Sequence, residues 1–146
     1  MQRLNTRSLV LCALFCALIA VGAQVTVPIP YGAITLQLFF ALLASFVLPP
    51  LQSLAALAAY LLLGLVGAPV FAGFSGGLST VTTPTFGFIT GMVLGAPLTS
   101  LLYRRLKRRL RAFPAALLSG LVGIALVYLC GAVHGYLILR LVLAQE

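Results

Sequence analysis

Acidic residues are almost missing. The only carboxylate side chain in 146 residues is Glu146, so no pair of acids exists for general acid–base work and none sits in an apolar run to carry protons across a membrane. Histidine occurs once, at His134, near the expected end of an apolar segment. No Ser–His–acid set can be assembled around it, and a satisfied interfacial histidine accounts for it. No G-x-x-x-x-G-K-[ST] sequence is present, so the chain has no phosphate-cradling loop with which to bind and split ATP. The three cysteines, Cys12, Cys16 and Cys130, all lie in apolar runs. Cys12 and Cys16 share a helix face, but without His, Asp or Glu beside them they read as small packing residues, and neither a metal site nor a cofactor is expected. Enzyme chemistry and self-powered or proton-driven pumping are the disfavoured classes.

Charge of either sign is scarce. Only 7% of residues are charged and 62% are hydrophobic, whereas soluble domains carry roughly a quarter charged residues. From Ser8 to Leu102 there is no Asp, Glu, Lys or Arg, a stretch far longer than the roughly 20 residues of one bilayer crossing. The expected fold is all-α: a polytopic helical membrane protein with about five transmembrane helices in a single membrane domain, 1–146. The first apolar run, 9–27, has the length of a full span, no clean small-residue cleavage site follows it, and further spans come directly after, so it reads as mature structure rather than a signal peptide. Pro28-Ile29-Pro30-Tyr31-Gly32 reads as a loop because proline lacks the amide donor and disfavours helix in the residue before it. A short second span follows over 36–48, a turn at Pro49-Pro50, and a third span over 51–66. The glycine-, serine- and threonine-rich segment 68–85 breaks the pattern. A fourth span is expected over 86–103 and a fifth over 115–133.

Eight of the nine basic residues sit in two places: Arg3 and Arg7, and the loop 104–111 with Arg104, Arg105, Lys107, Arg108, Arg109 and Arg111. A net charge of +8 normally raises nucleic acid as a partner. Basic residues flanking membrane spans are instead what holds a segment in the cytosol, and they face membrane lipids, so no nucleic acid is expected. Four crossings between two cytoplasmic basic segments satisfy the rule. The expected location is a bacterial or archaeal plasma membrane, with the N-terminus cytoplasmic and 68–85 facing outward.

Irregular backbone at membrane depth persists only where protein covers it or where it lines a cavity. The 68–85 segment is therefore a candidate pocket wall: glycines admit a ligand to the backbone, hydroxyls and free amides offer neutral hydrogen bonds, and Phe74, Phe86 and Phe88 offer flat apolar surface. The implied ligand is small, partly apolar, and polar without high charge. The same composition also suits a flexible connector. In the first span, Ala13 and Ala17, continued by Ala20, form a small-x-x-x-small row that permits close approach of another helix.

At Gly67-Ala68-Pro69-Val70-Phe71-Ala72-Gly73-Phe74-Ser75-Gly76-Gly77 the sequence resembles the BioY family, the biotin-binding S components of energy-coupling-factor (ECF) transporters. Three further places agree: Ala13 to Ala20, Ile34-Thr35-Leu36-Gln37, and Pro84-Thr85 with Gly87. The resemblance implies a six-helix membrane fold that captures biotin from outside and delivers it inward with a transmembrane coupling protein and two ATPases. It implies a substrate site at Thr35, Gln37, Gly73, Phe74, Ser75, Gly76, Gly77, Pro84, Thr85 and Phe88, with neutral polar groups and loop amides for the ureido ring and phenylalanines for the apolar body. Ala13 and Ala17 map onto the family's docking face. Two departures stand out. Thr83-Pro84-Thr85-Phe86-Gly87-Phe88 replaces a Gly-Pro-Thr-Gly-Gly-Tyr pattern, and the family's sixth helix, with its Pro-Gly-Asp and Lys pattern, is missing. Arg140 is the one basic residue expected on the outer side to pair with a ligand carboxylate. Three readings stay open: a biotin-uptake subunit, an S component for another small vitamin, and a truncated remnant that inserts without transporting.

Overall fold

The computed structural model describes the backbone of residues 5–29 and 32–143. Five α-helices occupy the five apolar runs. Helix α1 spans Thr6–Gln24, at 1.5 Å per residue about 28 Å, enough to cross a hydrocarbon core. It stops three residues short of the expected end at Val27. The β-branched run Val25-Thr26-Val27 favours extended backbone, and strand β1 (Thr26–Ile29) pairs antiparallel with β2 (Gly32–Thr35), Thr26 opposite Thr35 and Ile29 opposite Gly32. The expected proline loop is thus largely a hairpin. Pro28 is admissible there because a two-stranded sheet consists only of edges; Pro30 and Tyr31 lie outside the described residues.

Helix α2 (Gln37–Val47) is short. Pro50 opens α3 (Pro50–Val66) at its first turn, where the missing amide costs nothing, and Gly67 closes it at φ 112 with its N–H directed to the Gly64 and Leu63 carbonyls. Helix α4 runs Phe86–Leu106, three residues past its expected end, so Arg104 and Arg105 form its last turn, where cations suit the helix dipole. The connection to α5 therefore shrinks to the residues after Leu106.

Helix α5, Ala112–Leu143, is a single 32-residue helix, about 48 Å long. The expected end at Val133 is not observed: one glycine costs only about 1 kcal/mol in a helix, and the apolar residues after Gly135 continue it. Helices α1, α4 and α5 are each long and apolar enough to cross a membrane, and their large apolar side chains face outward, among them Leu14, Val21, Leu94, Leu121 and Leu129.

The interior is held by small residues. A Cβ on Gly91 would lie 2.9 Å from the Val127 backbone, and one on Gly131 would lie 2.6 Å from the Phe88 ring, so α4 and α5 approach backbone to backbone, as membrane helices do where small residues meet. Cys16, Ile19, Ala41, Leu57, Tyr60, Phe71, Phe86 and Met92 form the main core. Buried serine hydroxyls are paired with carbonyls, Ser100 donating to Leu48 (2.6 Å) and Ser119 to Ala115 (2.7 Å), whereas the buried Thr99 hydroxyl has no partner. Cys12 and Cys16 are buried packing residues.

Candidate functional site

The segment between α3 and α4 lies at the end of α4 remote from the basic turn. It is an ordered structure with its own internal bonds. Phe71 N–H donates to the Ser75 carbonyl (3.0 Å) and Gly77 N–H to the Gly64 carbonyl (2.6 Å), so the loop folds back on the last turn of α3. Gly73 (φ 70) and Phe74 (φ 56) both take the left-handed conformation at its tip. Its hydroxyls serve the loop itself: Ser75 donates to Ala72 (2.9 Å), Thr80 to Gly77 (2.6 Å), Thr82 to Ser79 (2.8 Å) and Thr83 to Thr80 (2.6 Å). These local bonds are a common role for Ser and Thr beside turns. Their protons are committed, which leaves the oxygen lone pairs to accept from a ligand.

Four helices, α1, α3, α4 and α5, hold this loop. Phe71, 2% exposed, packs edge-on against Tyr60 (5.5 Å) and Phe86 (6.4 Å), with its ring in the space that a side chain on Gly64 would fill. The Tyr60 hydroxyl donates to the Val70 carbonyl (3.0 Å). From α1, Gln24 Nε2 donates to the Phe71 carbonyl (2.9 Å) while its Oε1 accepts from Phe74 N–H (2.9 Å). From α5, His134 Nε2 lies 3.1 Å from the Val81 carbonyl, its ring beside Phe86 (5.8 Å). His134 is thus a loop contact. Gln24 and Tyr60 are absent from the sequence-derived site; the signal that marks them is an isolated polar group in an apolar helix, which needs a partner when buried.

The residues expected from sequence fall into separate groups. Gly73, Phe74 and Ser75 form the exposed tip, with Phe74 73% exposed, and Gly76 and Gly77 sit half-buried below it. Gly73 and Gly77 have open space where a Cβ would stand, whereas a Cβ on Gly76 would collide with the Ala68 carbonyl oxygen. Gly76 therefore serves the chain's own packing, and the open backbone faces are those of Gly73 and Gly77. Thr35 ends β2, half-buried. Gln37 opens α2 at 4% exposure; its Nε2 faces the Tyr60 hydroxyl oxygen but falls outside hydrogen-bond geometry with it and is buried with no other partner. Pro84 and Thr85 are exposed at the start of α4.

Two expected residues stand elsewhere. The Phe88 ring lies on Gly131 and edge-on to Tyr128 (5.6 Å), between α4 and α5 rather than on the loop, because helix periodicity turns it away from Phe86. The Arg140 guanidinium sits over the Tyr136 ring at 5.3 Å, six residues beyond His134, or about 9 Å further along α5. Ala13 and Ala17 are both exposed on α1.

Together these residues make a braced rim with a flat ring, two open glycines, acceptor hydroxyls and, below it, one unpaired carboxamide donor. No cluster of potential metal ligands occurs among the described residues. A separate cavity of about 10 Å³, between α2, α4 and α5, is lined by Ser45, Thr99 and Gly123, room for about one water. It is not part of the loop site.

Known proteins share both the sequence and this architecture. The chain is 38% identical to the biotin transporter BioY of Thermotoga maritima over 125 residues, covering 86% of this chain and 72% of that one. It is 37% identical to the probable biotin transporter BioY of Pyrococcus horikoshii over 128 residues, covering 88% and 74%. The crystal structure of the S-component for biotin from an ECF-type ABC transporter superposes with a TM-score of 0.82 at 24% identity, over 92% of this chain and 74% of that one. The match to the BioY family model extends over residues 1–146, and on these grounds the chain belongs to the BioY family.

Proposed function

We infer that this chain takes up biotin as the substrate-specific subunit of an ECF-type transporter. The observation that carries the reading is its similarity, over most of its length, to relatives named as biotin transporters. The chemistry of the braced loop supports it. The Gln37 Nε2 donor, buried without a partner, suits the carbonyl of a ureido ring, since an unsatisfied buried donor is stabilised by any ligand that supplies an acceptor. The Phe74 ring suits the ligand's apolar body, and the open faces of Gly73 and Gly77 leave room for it beside the loop backbone. Arg140, exposed over the Tyr136 ring, is the expected partner of the ligand carboxylate, since a cation–π contact leaves its N–H donors free.

The N-terminus and the 104–111 segment are cytoplasmic on charge grounds, which turns the loop outward. Without a phosphate-cradling loop of its own, the chain draws energy from a coupling protein and two ATPases, docked through Ala13 and Ala17. The test is growth of biotin-auxotrophic cells that lack their own uptake system, on limiting biotin, with this chain and an energising module expressed together. Rescue is expected. Absence of rescue, with the chain present in the membrane and the module assembled, contradicts the reading.

A further inference from the structure

Gln24 is the last residue of α1, yet its carboxamide serves two backbone groups 47 and 50 residues further along: it donates to the Phe71 carbonyl and accepts from Phe74 N–H, each at 2.9 Å. The two groups have different needs. Phe71 is anchored already by its buried ring. Phe74 is not: its ring is exposed, and at φ 56 it is the only non-glycine residue at positive φ among those described. An L residue takes that conformation at a cost and keeps it when surrounding bonds over-determine it.

We propose that Gln24 is a positioning residue which holds Phe74 in its left-handed conformation, so that the ring is presented at the mouth of the biotin site from α1. The proposal rests on the biotin-binding reading above. One end of the carboxamide is fixed on the rigid part of the loop, at Phe71, and the other end holds the tip. Without it the tip relaxes to ordinary backbone angles and the Phe74 ring leaves the mouth.

The test combines amide hydrogen exchange with biotin binding on the full-length protein in detergent. Gln24→Leu removes both bonds, and with them the longer Nε2 contact to the Ala20 carbonyl (3.5 Å) within α1, at similar volume. Gln24→Glu keeps the acceptor for Phe74 N–H and loses the donor to Phe71. In Gln24→Leu, exchange over residues 71–77 is expected to accelerate about tenfold or more with α1 and α3 unchanged, and the biotin Kd to rise about tenfold. In Gln24→Glu, protection of the Phe74 amide is expected to stay close to wild type. Unchanged loop exchange in Gln24→Leu overturns the proposal, as does exchange equally fast in both variants, or acceleration shared by α1 and α3, which marks a general structural role. A wild-type protein that binds no biotin, with exchange following the expected pattern, refutes the ligand and leaves the positioning role standing.

Discussion

Gly76 and Gly77 are neighbours with opposite surroundings: a Cβ on the first collides with the Ala68 carbonyl, and a Cβ on the second meets open space. Gly76→Ala is therefore expected to destabilise the protein by roughly 1–3 kcal/mol through overpacking, read as a lowered melting temperature without ligand. Ser75→Ala, which loses one exposed local bond, is expected to cost no more than about 1 kcal/mol. Equal melting temperatures for Gly76→Ala and wild type contradict the geometry. Gln37 gives a sharper signature. Its Nε2 is buried without a partner, so Gln37→Leu is expected to stabilise the empty protein, by up to roughly 1–3 kcal/mol, while weakening biotin binding. A variant that loses both stability and affinity contradicts the assigned role. At this scale the sequence carried residue types but not their surroundings. The glycine-rich run marks a candidate pocket wall from composition alone, whereas the contact between Gly76 and Ala68 depends on how the loop turns. Gln24 acts on partners 47 and 50 positions away, which no local pattern encodes.

The helices were legible as apolar runs, α2, α3 and α4 each closed by a proline, a glycine or a charge cluster. The errors lie where two signals compete. Apolar Val25 and Val27 extend a hydropathy pattern, but their β-branching favours the strand that forms. His134-Gly135 has the polarity of a helix end, yet α5 continues because its neighbours are strong apolar helix formers. The seam between α4 and α5 predicts its own test: Gly131→Leu must displace the Phe88 ring and is expected to lower the melting temperature markedly, whereas Leu129→Ala, on an exposed face, is expected to change it little. Helix α1 presents Ala13 and Ala17 outward and carries Gln24 at its other end. Ala13→Leu with Ala17→Leu is expected to spare biotin binding and abolish co-purification with the coupling protein. Retained co-purification removes the docking assignment.

On the scale of the molecule, the α4–α5 turn bears the basic cluster and the far end of α4 bears the loop. The chain is a multi-pass membrane protein, and the two features are expected on opposite sides of the bilayer. Cysteines introduced at Arg109 and Ser79, both exposed, should react with a membrane-impermeant thiol reagent from opposite sides, Ser79→Cys from outside. Labelling of both from one side contradicts the topology. The fold itself follows that of an S-component for biotin, and the loop braced by α1, α3, α4 and α5 is the proposed place of biotin binding. Equilibrium binding of labelled biotin to the purified, detergent-solubilised chain tests this most directly. Saturable binding displaced by unlabelled biotin is expected; a folded, monodisperse sample that shows no saturable binding contradicts a biotin site in this chain.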